Sequence, residues 1–271
     1  MCLIDARAPM VNSYMAEGHG SHMANSLKLI MEIMKFKIVH GDNSSIGVLF
    51  FGTKKVRDNS DRRSHWVEFI KLGVPSAENI HKLQDFIDKI HVRFDEEVGY
   101  QDPASKASHI NEVLWKCNDE FQRCAPKGKK DREYQTRIWI FTNNDTPEDG
   151  NKDEQNRIVD TAKRFFQTNI LISLWYMDTD YSQESFKLER FFQKVLITDP
   201  DEDDGEVFSS RAVRASLRGF DQATRKVREH FYQKRQLYFG VMDIGCGGVE
   251  MLIGVQFFSQ YKIAKKPIAQ K

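Results

Sequence analysis

A chain of 271 residues that is 40% apolar and 11% aromatic, with 40 Lys and Arg against 39 Asp and Glu, has the composition of an ordinary globular protein and excludes the disordered and collagen-like classes. At this length about three quarters of the unfolded chain's surface can be hidden, enough for one large core or two modest ones without staples. No run of about 18 apolar residues occurs and no basic n-region with an apolar h-region opens the chain, so nothing argues for a membrane span or secretion, and cytosol or nucleus is the default compartment.

In chain order, strands are expected at Cys2–Ala6, Ser45–Gly52, Trp66–Leu72, Thr136–Phe141 and Asn169–Met177, and helices at Ser21–Val39, Ser76–Ile90, Ser105–Cys124 and Asn151–Thr168. The runs IGVLFF, RIWIF and ILISLWYM are near-continuously apolar, as in strands covered on both faces. Strand and helix alternate in the manner of a doubly wound α/β fold with a mainly parallel sheet. In the third helix Ile110, Val113, Leu114, Cys117 and Phe121 fall on one stripe, with Ser105 or Ser108 available as cap. Gly20-Ser21-His22-Met23 imitates a tag-cleavage scar, yet it runs into a good amphipathic helix. Turn chemistry appears at Gly41-Asp42-Asn43 and again at Asn143-Asn144-Asp145-Thr146-Pro147, the latter at a strand's C-terminal end, where open α/β sheets place their sites.

Beyond Met177 the pattern predicts helices at Gln183–Leu196 and Ser209–Gln236, separated by the acidic run Asp199–Glu206. Eight Lys and Arg against Asp221 and Glu229 give residues 211–235 a local charge of +6, which permits a polyanion contact and equally suits a solvated helix face. Strands follow at Leu237–Ile244 and Val249–Phe258 around a Gly245-Cys246-Gly247-Gly248 turn, then a Lys- and Pro-containing tail, Lys262–Lys271. Two strands cannot form a stable domain unaided, so this hairpin is expected to open a second domain whose remainder lies outside this sequence. The expected division is an α/β domain over residues 1–200, a helical connector over 201–236, and the first strands of a further domain with the basic tail over 237–271.

The chemical motifs are chiefly absences. GxxxxGK[ST], which wraps phosphate in backbone N–H groups, does not occur, nor do GxSxG or HExxH, and Gly245-Cys246-Gly247-Gly248 leads into a strand and not a helix. Cys2, Cys117, Cys124 and Cys246 lack CxxC pairing and suit buried thiols in a reducing compartment, with no disulfide or zinc expected. The eight His are scattered, and His19 with His22 lacks a third ligand. No cofactor is implied. An α/β enzyme with an unrecognised site near Asn143–Asp145 would still need a nucleophile, metal or phosphate motif.

Several strings together resemble the Ku family, in particular its smaller, seventy-kilodalton-type subunits: LIDARAPM at 3–10, IGVLFFGTKK at 46–55, INEVLWKCNDEF at 110–121 and RIWIFTNNDTPEDGN at 137–151. ILISLWYM at 170–177 and the hairpin with its KKP tail agree in order and spacing, so the resemblance spans essentially the whole chain. It implies a von Willebrand A-like α/β domain followed by the first strands of the Ku β-barrel. In von Willebrand A-type domains the first strand ends in DxSxS, whose oxygens hold a divalent cation. Here Arg7 and Pro9 follow Asp5 in place of both hydroxyls, so no metal is expected.

The resemblance further implies a nuclear, non-enzymatic subunit that pairs with a larger Ku-type subunit and with end-joining factors. Such heterodimers bind double-stranded DNA ends through backbone phosphate, in non-homologous end joining and telomere maintenance. Relatives sometimes carry the name of an ATP-dependent helicase, for which this sequence has no nucleotide motif. Lys262, Lys265 and Lys266 are the candidate phosphate contacts, with Arg225, Lys226 and Arg228 behind them. Val249, Met251, Ile253, Val255, Phe257 and Phe258 are the candidate partner interface, as an unpaired apolar strand seeks a partner. The rival reading is a von Willebrand A-type interaction module without DNA contact. The helix 151–168, an outward-facing one in the family, carries Lys163 and Arg164 near its end.

Overall fold

The computed structural model describes residues 1–12, 20–39, 41–54, 65–99, 109–125, 136–177, 186–196, 212–214, 233–243 and 252–261. By compactness the chain divides into two units, Met1–Ala223 and Thr224–Lys271.

The first unit is built on β1 (Cys2–Asp5), β2 (Ile46–Phe51), β3 (Trp66–Gly73), β4 (Thr136–Thr142), β5 (Ile170–Tyr176) and β6 (Ala212–Arg214), in the order β3-β2-β1-β4-β5-β6. All adjacent pairs are parallel except β2 with β3. The apolar runs seen in the sequence are the central strands; β1 and β2 are buried along their whole length because helices cover both faces. On one face Leu3, Leu49, Phe51, Ile138, Ile140, Ile172 and Leu174 share a core with Ile110, Val113, Leu114 and Cys117 of α5 (Ile110–Cys124) and Ile158, Ala162 and Phe165 of α6 (Lys152–Gln167). The opposite face carries α1 (Ala8–Asn12), α2 (His22–Val39) and α3 (Ala77–Asp88). There Phe50, Phe69 and Phe86 pack ring against ring at 4.7–5.8 Å.

Local chemistry sets the helix ends. The Ser21 hydroxyl accepts the Ala24 N–H, so the scar-like tetrapeptide is a helix start. Ser76 caps α3, and Asn151 caps α6 by accepting the N–H groups of Asp153 and Glu154. α5 begins at Ile110, with His109 in the cap position; Ser105 and Ser108, the expected caps, lie outside the described residues. His109 precedes it at φ 54° with no side-chain cap bond, and Glu148 Oε1, from beyond β4, accepts the Ile110 N–H at 3.2 Å. α1 and α4 (Ile90–Glu97) were not expected; Lys89 ends α3 and begins α4.

β3 is an edge strand with a bulge. The register passes from Val48↔Ile70 to Leu49↔Glu68, leaving Phe69 between them, and Lys82 Nζ donates to the Phe69 carbonyl at 2.7 Å while lying 4.5 Å from the centre of its ring.

The helix expected at Gln183–Leu196 is instead, within the described residues 186–196, a pair of 3-10 turns, Leu188–Arg190 and Phe192–Lys194. Phe191, Phe192, Val195 and Leu196 are all buried in the core that α5 and α6 share with the sheet. The helix expected at Ser209–Gln236 is also corrected: residues 212–214 are β6 and 233–236 already belong to β7. Cys2 and Cys117 are buried as expected, but Cys124 is exposed, with its thiol 3.8 Å from the Leu72 carbonyl.

The second unit contains the antiparallel pair β7 (Gln233–Asp243) and β8 (Leu252–Tyr261); β7 begins four residues before the expected strand and β8 ends three residues after it. Tyr238 faces Phe257 and Val241 faces Gly254, with an irregularity between Gln236 and Tyr238.

Candidate functional site

The strand order reverses between β1 and β4, since the chain runs outward to β2 and β3 and then returns to β4 on the other side of β1. Open α/β sheets form their crevice at the C-terminal ends of such a pair. Those ends here are Asp5 and Thr142.

Asp5 is fully buried, and its carboxylate is enclosed by hydrogen bonds. Oδ1 accepts the Arg7 backbone N–H (3.1 Å) and Nε (2.9 Å); Oδ2 accepts Arg7 Nη2 (2.5 Å) and the Thr142 hydroxyl (2.8 Å). Burial alone would lower the Arg7 pKa, but the charge and hydrogen bonds of Asp5, with the charge of Glu148, outweigh it and leave the guanidinium above its ordinary value. Gly52 sits against this pair at φ +68°, and a Cβ there would come 3.0 Å from Arg7 Cγ.

The turn after β4 spends its polar groups on its own shape. The Asn144 N–H donates to the Thr142 hydroxyl, Asn144 Oδ1 accepts the Thr146 N–H, and the Thr146 hydroxyl donates to Asp145. The Asp145 carboxylate accepts the Lys187 N–H at 3.1 Å and Arg190 Nη1 at 3.0 and 3.2 Å, which pins the 3-10 segment over the end of the sheet. Asn143 Nδ2 lies 3.3 Å from Nδ1 of the buried His22. Asn143–Asp145 is thus a scaffold, and among the described residues nothing nucleophilic is poised there. Burial pushes the thiols of Cys2 and Cys117 up to about 11 and about 12, far from thiolate at neutral pH. Among the described residues no group of three His, Cys, Asp or Glu is placed to hold a metal ion.

The sequence marked Asp5, Arg7 and Pro9, and the structure joins the first two into one buried pair. Sequence reasoning missed Thr142, the last residue of β4, Glu148 in the turn that follows it, and Gly52 just past β2; the one signal available was their position at the ends of those two strands. It also treated the histidines as scattered, whereas His65 and His109 stack at 4.6 Å, with His65 Nδ1 3.0 Å from the Thr53 carbonyl.

The other candidates fall elsewhere. Lys262, Lys265, Lys266, Arg225, Lys226, Arg228, Val249 and Met251 lie outside the described residues, as does the glycine-rich turn. Ile253, Val255, Phe257 and Phe258 are positions of β8, opposite Met242, Gly240, Tyr238 and Gln236 of β7. On α6, Lys163 and Arg164 are exposed, Lys163 lying 3.7 Å from Asp160. No helix among the described residues is long and apolar enough to cross a membrane.

The family whose model matches residues 1–237 is described as the Ku70/Ku80 N-terminal alpha/beta domain. The chain is 24% identical to the ATP-dependent DNA helicase ku70 of Dictyostelium discoideum, over 97% of this chain and 29% of that protein. It is 26% identical to X-ray repair cross-complementing protein 6 of Mus musculus, over 98% and 40% respectively. Against the ATP-dependent DNA helicase 2 subunit 1 of Rhipicephalus appendiculatus it is 28% identical over 73% and 30%. The chain therefore spans well under half the length of these relatives. The family description names an α/β domain and no enzymatic activity, while two of these relatives carry helicase in their names.

Proposed function

Because the chain belongs to the Ku70/Ku80 N-terminal alpha/beta domain family, we propose that it forms the α/β flank and first barrel strands of a smaller Ku-type subunit, which pairs with a larger one to bind double-stranded DNA ends. The setting is the nucleus, in double-strand break repair by non-homologous end joining and in telomere maintenance. The observation that carries this reading is the long β7–β8 pair beyond the α/β unit. Two strands alone leave a row of unpaired backbone groups on each side, and further strands must cover them. In this reading the partner subunit does so beside Val249, Met251, Ile253, Val255, Phe257 and Phe258, and end-joining factors assemble on the heterodimer.

Contact with DNA is then to phosphate, with no sequence information read. Lys262, Lys265 and Lys266 follow the backbone as the chain leaves the hairpin, and Arg225, Lys226 and Arg228 add to the same field. Each phosphate neutralised releases counterions, so affinity falls steeply as salt rises. No catalytic step and no cofactor belong to this reading. Arg7 and its neighbours hold the α/β unit together and do not touch DNA.

The test is co-expression with a larger Ku-type subunit, size measurement of the complex, and titration with linear and closed circular DNA across a salt series. We expect a heterodimer that requires free ends and whose log affinity falls linearly with log salt. Lys262→Ala with Lys265→Ala and Lys266→Ala should reduce that slope by up to about 0.9 per lost contact. Failure to form the complex, or equal binding to closed circles, overturns the proposal; failure to bind DNA of either form leaves the interaction module without DNA contact.

A further inference from the structure

We infer that the Arg7 guanidinium has taken over the task a divalent cation performs at the end of the first strand in von Willebrand A-like folds, so that the top of the sheet is locked by a charge attached to the chain and not by an exchangeable ion. The residues present do not fit a cation. A hard cation needs several converging oxygens with free lone pairs. An ionised carboxylate offers roughly four lone-pair sites, and Asp5 accepts four hydrogen bonds, three from Arg7 and one from Thr142. The two following positions that would bring hydroxyls bring a guanidinium and a proline ring. A +2 ion entering here would meet a fixed positive charge and a carboxylate already committed.

The surroundings are shaped for the arginine. Gly52, at φ +68°, leaves room for the Arg7 stem; an ideal Cβ there would lie 3.0 Å from Arg7 Cγ and 3.8 Å from Asp5 Oδ1. Glu148, which caps α5, adds negative charge toward the guanidinium, so one positive group meets two acidic ones from different loops. Arginine suits this better than lysine, because its planar fork grips both carboxylate oxygens at once. A fixed internal lock also removes the open coordination site through which a cation can bridge to a partner's carboxylate. Partners of this α/β unit are therefore recognised without a metal bridge. The inference does not rest on the DNA-end reading and stands if that reading fails.

The test uses the full chain, with thermal unfolding followed by tryptophan fluorescence at constant ionic strength in EDTA, Mg²⁺, Mn²⁺ and Ca²⁺. All four tryptophans, Trp66, Trp115, Trp139 and Trp175, lie in the α/β unit and report on it alone. We expect the wild-type melting temperature to be insensitive to ion and chelator, or any ion-induced rise to survive Asp5→Asn, which would place that ion elsewhere. Arg7→Ala should lower the melting temperature by about 10 °C, since it strips a buried carboxylate of its counter-charge. The double variant Asp5→Asn with Arg7→Met should melt above Arg7→Ala, because no buried charge is left uncompensated. An ion-induced rise that Asp5→Asn abolishes overturns the inference, as does an Arg7→Ala variant as stable as wild type. Should Arg7→Ala fail to fold, the wild-type ion series and the double variant decide the matter.

Discussion

Lys37 and Asp42 make an ion pair whose two ends differ in burial, and this asymmetry predicts which end is costly to remove. Lys37 is a lysine on the core side of α2, 5% exposed in its side chain, and its ammonium lies 2.7 Å from Asp42 Oδ2, which is 23% exposed. Asp42→Asn takes the carboxylate from a charge that water cannot reach. Breaking a fully buried pair costs about 3–5 kcal/mol; the partial exposure of the aspartate end brings the expectation to about 2 kcal/mol. Lys37→Met removes the buried charge itself, fits a helix already rich in methionine, and leaves Asp42 with the N–H and hydroxyl of Ser44. That variant should lose less than about 1 kcal/mol. Urea unfolding at pH 7, followed by tryptophan fluorescence, measures both. Burial works to raise the Asp42 pKa, but the hydrogen bonds from Lys37 and Ser44 and the lysine charge outweigh it and hold the carboxyl below its usual value. Its contribution is therefore complete above the unfolded value near pH 4 and is lost as pH falls through the lower folded value, so the gap between wild type and Asp42→Asn should close in acid. An Asp42→Asn variant within about 0.5 kcal/mol of wild type at pH 7, or a Lys37→Met variant equally damaged, refutes the reasoning.

Two further outcomes follow from packing. Phe86→Ala empties the centre of the Phe50–Phe69–Phe86 group and should cost about 3–5 kcal/mol, lowering the melting temperature by roughly 6–15 °C; a loss under about 1.5 kcal/mol would show that the rings do not act as one packed body. Asp145→Ala should leave global stability within about 1 kcal/mol, because the Arg190 end of the ion pair is 41% exposed and can return to water, yet speed hydrogen exchange at the Lys187 amide, whose acceptor it removes; unchanged exchange there would contradict the pinning role.

The parts of the fold that were legible in the sequence are those fixed by short-range pattern. IGVLFF and RIWIF lie within β2 and β4, and the stripe from Ile110 to Phe121 faces the sheet as α5. What escaped depends on neighbours distant along the chain. The cap of α5 comes from Glu148, and the 3-10 turns at 188–194 owe their shape to phenylalanines drawn into a core made by α5, α6 and β5. At the site, Asp5 and Arg7 stood out in the sequence, but the closing of the Asp5 carboxylate by Arg7 and Thr142 against Gly52 depends on residues at the ends of other strands. The basic helix expected across Ser209–Gln236 is overturned at its two ends, by β6 and by the start of β7; β6 needs only three residues to find β5, too few to leave an alternating pattern, and residues 215–232 lie outside the described residues.

The bulge at Phe69, stoppered by the Lys82 ammonium, has a further effect. A sheet that ends in a straight apolar strand invites a sibling molecule to continue it, and the opposite margin, where β6 joins β5 over three residues, offers little purchase either. The bulge and its lysine thus guard the β3 margin against templated stacking of copies through their backbones.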